Sequence, residues 1–381
     1  MRAPSVLHVI TGLPIGGAQS ALGRLLARIP GERFTQSVVS LGELGAMGEA
    51  WRRDGVRVAA LGMRPSTPDP LAFLRLVRLL RRERPELVQT WLYHADLLGG
   101  LAARAAGVRP VLWNLRQSDL DPVETKWPTR AVVAASARLS RLVPRTIVCC
   151  SQASRRVHAA LGYDDARMRV ILNGVDLERF RPDAEARAGV RRELGVSGET
   201  PLIGMAARWH PQKDHATFLR AAALAARRFP DARFALCGEA VDAGNAELVG
   251  LVRELGLERS VLLLGQRRDM PRFNAALDLA ALSSAFGEGF SNSIVEAMAC
   301  GAPCVATDVG DSAAIVGETG WIAPKRDAAA FAAALESALA LPMAALRARG
   351  AGARARAAER FDAAVMARAY EELWRDNLPA S

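Results

Sequence analysis

The chain has 381 residues, of which 50% are apolar and 24% charged, a globular composition with enough length for two domains. No run approaches the roughly 18 apolar residues of a membrane span, and the apolar run 5–10 is too short for a signal peptide. Residues 1–172 carry 25 Lys and Arg against 13 Asp and Glu, whereas the remainder carries 25 against 27. The basic first half predicts contact with an anionic surface, either membrane phospholipid or nucleic acid.

Short β-type segments alternate with longer helical segments along the whole chain. In the first half, strands are predicted at 6–10, 36–41, 56–60, 87–91, 111–115 and 147–150, with helices at 18–29, 46–54, 71–84, 95–106 and 153–161. The pattern restarts with strands at 202–207, 233–237, 261–264, 277–282, 304–306 and 320–323. Such alternation predicts parallel sheets covered on both faces, and two successive sets predict two Rossmann-like α/β domains.

The break between the two sets falls near 170–182, where Asn173-Gly174 and Pro182 are turn-forming residues. We therefore predict an N-terminal domain over 1–172 and a C-terminal domain over 173–360. The segment 361–374 has apolar residues at helical spacing. Residues 361–381 are accordingly predicted to form a helix that packs back on the first domain.

The predicted helix 71–84 concentrates the positive charge of the first half. Arg75, Arg78 and Arg82 fall on one face, opposite apolar residues such as Leu76 and Leu80. A helix of this kind could lie on anionic lipid. A surface helix of an arginine-rich α/β domain has the same pattern, so both interpretations stay open.

The cysteines are odd in number and have no zinc-type spacing. We expect them to be buried and reduced, which is typical of a cytoplasmic protein. They are Cys149, Cys150, Cys237, Cys300 and Cys304.

Three segments at predicted strand ends carry candidate chemistry, because ligands of open α/β sheets bind beyond the carboxyl ends of the strands. The first, 11–18, contains Gly16 and Gly17, where the backbone can approach a ligand and a helix start favours an anion. It is not G-x-G-x-x-G, and no acid about 20 residues further on marks a nicotinamide ribose, which disfavours a dehydrogenase. An ordinary glycine turn is the alternative.

The second segment follows the predicted strand 202–207 and contains Arg208 and Lys213. An arginine fork and a lysine point charge at one strand end can bracket a diphosphate. Only three residues of the chain are lysines, so a lysine here runs against the composition. The alternative is a solvated basic turn.

The third segment, 287–298, places Glu288 and Glu296 eight positions apart. Glu288 is predicted on a loop and Glu296 in the opening turn of a helix capped by Asn292 or Ser293. Carboxylates accept hydrogen bonds from hydroxyl groups, so the pair suits a polyhydroxylated ligand. The alternative is structural, since Ser293 and Glu296 fit the S-x-x-E capping box and Glu288 would be a solvated turn residue.

These segments resemble those of the family 4 glycosyltransferases, which are retaining enzymes of the GT-B fold. The likeness extends over nearly the whole chain and rests on the E-x7-E spacing, the upstream Arg208 and Lys213, and the Asn-Gly-Val-Asp run 173–176. The matching runs are 8–18, 88–100, 151–182, 204–221, 265–269 and 282–320. The resemblance implies two Rossmann-like domains facing across a cleft, with the acceptor on the N-terminal side and the nucleotide sugar on the C-terminal domain.

The resemblance also implies a role for each residue of the third segment. Glu296 would bind the ribose hydroxyls of the donor nucleotide. Glu288 would contact the transferred sugar, together with the backbone at Gly289, Phe290 and Ser291.

In the same way, Arg208 and Lys213 would neutralise the donor diphosphate, while Gly16 and Gly17 would close over the phosphates from the N-terminal domain. The resemblance leaves His94 open between contact with the donor sugar or acceptor and a structural role.

Two departures from the family pattern stand out. Many relatives have His where this chain has Trp91, and the nearest imidazole here is His94. The chain also has Gln19 where Glu is common, which puts any acidic role there in doubt.

The predicted function is transfer of a hexose from a UDP-sugar or GDP-sugar to a glycan or lipid-linked acceptor. The product class would be lipopolysaccharide, capsule or exopolysaccharide, made by a cytoplasmic enzyme that contacts the inner face of the membrane. Fixed cations would stabilise the diphosphate leaving group as charge develops on it. Same-face attack assisted by the leaving phosphate would give retention. No Asp-x-Asp pair has a suitable metal role, so neither a metal nor another cofactor is expected.

Two alternatives remain at this stage. The same fold serves sugar-nucleotide epimerases and phosphorylases, although no lysine is placed for the pyridoxal phosphate of a phosphorylase. A non-catalytic protein could instead bind nucleic acid through its basic half. The chain lacks interleaved aromatic residues and any known nucleic-acid module, so no nucleic-acid partner is expected.

Overall fold

A computed structural model describes residues 2–14, 16–64, 69–118 and 127–378. The chain forms two compact units, the first made of residues up to Gly174 together with those from Ala363 onward, and the second running from Val175 to Asp362. Each unit is built on one parallel sheet with helices on its faces, which confirms the predicted α/β class.

The first unit contains a seven-stranded sheet in the order β3-β2-β1-β4-β5-β6-β7, with every pair parallel. Its strands are β1 Ser5–Ile10, β2 Thr35–Ser40, β3 Arg57–Ala60, β4 Leu87–Trp91, β5 Val111–Leu115, β6 Thr146–Cys149 and β7 Met168–Val170. Its helices are α1 Gly17–Arg28, α2 Gly45–Arg53, α3 Pro70–Glu83, α4 Tyr93–Ala105, α5 Trp127–Leu139, α6 Gln152–Ala160 and α15 Ala363–Asn377.

The two faces of this sheet bury two separate cores, because side chains alternate along a strand. Leu7 and Val9 of β1 face the core that includes α3, α4 and α5. Val6 and Ile10 face the core that includes α1, α2 and α15. Strand β7 was not predicted, since it is a three-residue edge strand with an exposed arginine at its centre.

The C-terminal helix α15 covers the first unit, as predicted. Trp374 is fully buried and its indole nitrogen donates a hydrogen bond to Gln89 Oε1 at 2.9 Å. The hydroxyl of Tyr370 accepts one from Asn114 Nδ2 at 2.7 Å. The helix begins at Ala363, because the preceding helix ends at Phe361 inside the second unit.

The second unit contains a six-stranded parallel sheet in the order β10-β9-β8-β11-β12-β13. Its strands are β8 Leu202–Ala206, β9 Arg233–Cys237, β10 Val261–Leu263, β11 Leu279–Leu282, β12 Cys304–Thr307 and β13 Trp321–Ala323. Its helices are α7 Ala184–Glu193, α8 His215–Arg228, α9 Ala246–Glu254, α10 Met270–Ala276, α11 Asn292–Ala299, α12 Ser312–Val316, α13 Ala328–Leu339 and α14 Met343–Phe361.

The five cysteines are buried and none of them forms a disulfide bond, as expected. In the part of the chain that the structure describes, no single helix has both the length and the apolar composition of a membrane span. The adjoining helices α13 and α14 meet these criteria only as a pair, and they are bent by 109° with respect to each other.

Three histidines are buried, two in the first unit and one in the second, and burial lowers the pKa of each from 6.5 to about 4. They are His8, His158 and His215. Each imidazole is therefore neutral in the folded protein near pH 7. Between pH 6.5 and 4 the unfolded chain binds more protons than the folded one, so the free energy of unfolding decreases as the pH falls through this window.

We predict that His158→Gln reduces this acid sensitivity. The difference in unfolding free energy between pH 7.5 and pH 5 should shrink by about 2 kcal/mol, the linkage value for one imidazole with these two pKa values. Urea titration at both pH values measures it. Arg156→Gln, at an exposed position of the same helix, is the control that should leave the difference unchanged. An equal pH dependence in His158→Gln and the unmutated protein would contradict the prediction.

Candidate functional site

A cluster of polar side chains in the second unit lies where β8 and β11 end. These strands are parallel neighbours, so the loops that follow them share the carboxyl edge of the sheet. Ser283 Oγ donates to the carbonyl oxygen of Lys213 at 3.0 Å, and Ala285 N donates to that of Gln212 at 2.8 Å. The two loops are thus held against each other by hydrogen bonds to backbone oxygens.

An ion pair joins the same two loops, since the ammonium of Lys213 contacts Glu288 Oε1. The Glu288 side chain is 7% exposed and also accepts hydrogen bonds from Ser284 Oγ at 2.6 Å and Ser291 Oγ at 3.3 Å. Burial opposes ionisation of this carboxyl, but Lys213 and the hydrogen bonds outweigh it and hold its pKa below the ordinary value. Glu288 is a buried carboxylate, so the solvated-turn alternative is wrong.

Gly287 makes this close approach of the loops feasible. Its φ of +73° lies in the left-handed region, and a Cβ at this position would lie 3.1 Å from Gln212 Nε2. A side chain there would strain the backbone and would require the Gln212 amide to shift.

Helix α11 begins earlier than the capping-box alternative requires. Its N-cap is Ser291, whose carbonyl oxygen accepts the hydrogen bond from Val295 N at 3.3 Å. The prediction that Asn292 or Ser293 caps the helix is therefore wrong. Glu296 is the fifth helical residue, in the second turn and not the first, where an acidic side chain cannot close a capping box. It is half-buried.

The other candidate residues of this unit differ in exposure. Arg208 is exposed and has no ion-pair partner among the described residues. Gly289, Phe290 and Ser291 are buried. The ring of Phe290 packs edge-to-face on that of Phe361, with centroids 5.6 Å apart, so this side chain belongs to the core.

Gly16, Gly17 and His94 belong to the first unit and follow β1 and β4, which are also parallel neighbours. A Cβ at Gly16 would lie 2.6 Å from Gln19 Oε1, so a side chain there would displace the Gln19 amide. Gln19 Nε2 donates to the carbonyl oxygen of Gly12 at 2.9 Å. Gln19 therefore stabilises the glycine loop. His94 is the second residue of α4, and partial burial lowers its pKa, which favours a neutral imidazole.

Trp91, which stands where many relatives have His, is a core residue. Its indole nitrogen donates to His8 Nδ1 at 3.2 Å, and His8 Nε2 faces Gln36 Oε1 at 3.1 Å. Trp91 is fully buried, so it offers no side-chain group to a ligand.

Sequence reasoning missed two residues at these strand ends. Ser284 holds Glu288, and Arg116 lies over the Trp91 ring at 5.3 Å and contacts the Asn173 side chain. Both follow a predicted strand by one or two residues, and that position was the available signal. Throughout the described ranges, no three His, Cys, Asp or Glu side chains are grouped as metal ligands would be.

Comparison with solved structures defines the class of this fold. HepE of Anabaena superposes with a TM-score of 0.84 at 23% identity, covering 98% of this chain and 100% of that chain in its complex with UDP. The same protein has also been solved with UDP-glucose, again at a TM-score of 0.84. Two parallel-sheet Rossmann-like units of this kind define the GT-B class of glycosyltransferase folds.

Sequence comparison defines the family. Residues 15–179 match the sequence model of "Glycosyltransferase Family 4", and residues 200–340 match that of "Glycosyl transferases group 1". The chain therefore belongs to the family 4, group 1 glycosyltransferases, which these two models describe in turn for its first and second halves. This confirms the resemblance seen in the motifs.

Two curated relatives illustrate the range of the similarity. UDP-Gal:alpha-D-GlcNAc-diphosphoundecaprenol alpha-1,3-galactosyltransferase of Escherichia coli is 27% identical over 65% of this chain and 64% of its own length. D-inositol 3-phosphate glycosyltransferase of Corynebacterium urealyticum is 36% identical over 46% of this chain and 44% of its own length. The chain thus matches less than two thirds of the length of each of these relatives.

We predict that Lys213→Ala destabilises the second unit by about 3 kcal/mol, because it leaves a buried carboxylate without its cation. Adding Glu288→Gln should recover most of this loss, since a neutral amide has no charge to compensate. Urea unfolding of the two single variants and the double variant measures the coupling. Lys325→Ala removes an exposed lysine of the same unit as a control. Additive effects of the two substitutions would contradict the prediction.

Proposed function

We propose that the protein transfers a hexose from a nucleoside-diphosphate sugar, a UDP-sugar or a GDP-sugar, to a glycan or lipid-linked acceptor. The observation that carries this proposal is the buried Lys213–Glu288 pair at the carboxyl edge of the second sheet. It supplies a cation held in place before the ligand arrives, and the half-buried Glu296 lies on α11, the helix that follows the Glu288 loop. HepE complexes with UDP and UDP-glucose support a uridine donor.

The proposed roles follow from the chemistry of the leaving group. Breaking the anomeric C–O bond places negative charge on the departing diphosphate, and Lys213 and the exposed Arg208 stabilise it as it develops. Glu288 orients Lys213 and contacts the transferred sugar, while the backbone at Gly289, Phe290 and Ser291 lies alongside.

Glu296 accepts hydrogen bonds from the ribose hydroxyls, and Gly16 and Gly17 lie over the phosphates. His94, neutral in its half-buried position, contacts the donor sugar or acceptor. We propose that the transfer retains the anomeric configuration and proceeds without a metal or other cofactor.

Relatives support the choice of acceptor and pathway. The name of the Escherichia coli relative describes a diphosphoundecaprenol-linked acceptor. We extend this to a lipid-diphosphate acceptor for the present chain, in synthesis of envelope or extracellular polysaccharide. A cytoplasmic enzyme that contacts the inner face of the membrane would meet such an acceptor.

A panel of UDP-, GDP-, ADP- and dTDP-sugars tests the donor assignment by thermal shift. We expect one nucleotide class to raise Tm, and Glu296→Ala to weaken its binding at least tenfold, the loss expected for hydrogen bonds to a charged group. The Tm of ligand-free Glu296→Ala should stay unchanged. Glu254→Ala, at an exposed position on α9, is the matched control. Equal affinity in Glu296→Ala with a lowered ligand-free Tm would assign Glu296 to stability instead.

Helix α3 supports the proposed membrane contact. Arg75, Arg78 and Arg82 are exposed, and Leu71 and Leu74 beside them are 69% and 46% exposed. Its opposite face is buried in the core of the first unit. Exposed leucines next to a row of arginines suit the interface of an anionic membrane.

We predict that replacing Arg75, Arg78 and Arg82 together by Gln releases the protein from anionic liposomes. Each basic residue near such a surface contributes about 1 kcal/mol to the free energy of membrane binding. Co-sedimentation with phosphatidylglycerol vesicles measures it. The same change at the exposed Arg220, Arg227 and Arg253 of the second unit is the charge-matched control. Unaltered sedimentation of the α3 variant would exclude this helix as the contact.

A further inference from the structure

A second polar site lies at the amino edge of the first sheet, the edge opposite the glycine loop and His94. Strands β5, β6 and β7 are adjacent, and an arginine comes shortly before each of them. Arg109, Arg145 and Arg167 are these residues, and the parallel arrangement brings them to one edge. They line a pocket of about 560 Å³, within the range of roughly 300 to 1,000 Å³ found for small-molecule sites.

The pocket has a strong excess of positive charge. Arg104, near the end of α4, adds a fourth guanidinium, and the lining contains no Asp or Glu. Arg167 forms an ion pair with Asp164 at 3.2 Å. Among the described residues, the other three arginines have no carboxylate partner.

Two of the guanidinium groups are held by backbone oxygens on the pocket wall. Arg145 donates to the carbonyl oxygen of Asn377 at 3.4 Å, and Arg167 donates to that of Pro144. Asn377 is itself fixed, since its side-chain oxygen accepts from Thr146 Oγ1 at 3.2 Å. A guanidinium has five N–H donors, so each group keeps donors for a ligand after these contacts.

A purely structural role accounts for only part of this cluster. Cations near helix C-termini offset the helix dipole, which suits Arg104 at the end of α4 and Arg145 at the last carbonyl of α15. It does not explain Arg109, which lies outside any helix and is exposed. Nor does it explain why Arg104, Arg109 and Arg145 have no carboxylate partner among the described residues.

We propose that this pocket binds a phosphate-bearing anion, held by Arg104, Arg109 and Arg145. Arginine forks match the oxygen geometry of phosphate and bind it through paired hydrogen bonds. The pocket lies at the amino edge of the first sheet, whereas the residues proposed to bind the donor follow strands at the carboxyl edges of the two sheets. The phosphate comes either from a free compound or from the headgroup of an anionic lipid. Leu142 on the pocket wall is 65% exposed and would face the lipid in the second case.

Calorimetric titration with inorganic pyrophosphate tests the site in the full-length chain. We expect Arg104→Gln/Arg109→Gln to weaken one class of pyrophosphate binding at least tenfold. Arg208→Gln/Lys213→Gln should remove only the binding that belongs to the donor site. Arg138→Gln/Arg141→Gln makes the same charge change at exposed positions of the first unit outside the pocket and should bind like the unmutated protein.

Hydrogen exchange in the unmutated protein gives a readout that does not depend on variant folding. Pyrophosphate should protect amides in 104–111 and 142–146. Vesicles of phosphatidylglycerol distinguish the two sources, because a lipid headgroup requires vesicle binding that Arg104→Gln/Arg109→Gln weakens and pyrophosphate competes away. Absence of protection at both segments, or unmutated affinity for pyrophosphate and vesicles in the pocket variant, would overturn the proposal.

Discussion

Burial of an ionised carboxylate is unfavourable unless a cation and hydrogen-bond donors surround it. Glu288 has Lys213 from the loop after β8 and two serines from its own loop. Satisfying this one group requires the two loops to meet. Ser291, which donates a hydrogen bond to Glu288, is also the N-cap residue of α11. The position of Glu296, four residues into the helix from Asn292, follows from that start. The architecture of the proposed donor site therefore depends on the charge balance at Glu288.

Parallel strand pairing divides each unit into two chemically different edges. Loops that follow strands carry the glycine turn and His94 in the first unit, and the Lys213–Glu288 pair in the second. The opposite edge of the first sheet receives residues that precede strands, and there the arginines before β5, β6 and β7 meet. A basic first half thus contains at least two separate concentrations of charge, the exposed face of α3 and the arginine pocket.

The last helix belongs to the first unit, so this unit is built from two separate segments of the chain. A sheet with one uncovered apolar face is unstable in water. Helix α15 covers part of this face together with α1, and its Tyr370 and Trp374 pair with Asn114 and Gln89 of the sheet. The helix buries apolar area against the sheet, and these buried hydrogen bonds also fix its register on the sheet.

The sequence alone determined the two α/β units, most strand positions, the returning helix and the family, because alternating apolar segments and strand-end motifs are local features of the chain. It also selected Lys213 and Glu288 as candidates. It did not determine that they form a buried ion pair, that Ser284 completes it, or that Ser291 caps α11. The S-x-x-E pattern of a capping box is present at Ser293 and Glu296, but in the folded protein the helix begins after Ser291.

The sequence did not indicate the arginine pocket either, because Arg104, Arg109, Arg145 and Arg167 are far apart in the chain. Only the alignment of neighbouring parallel strands brings such residues together at one edge of the sheet.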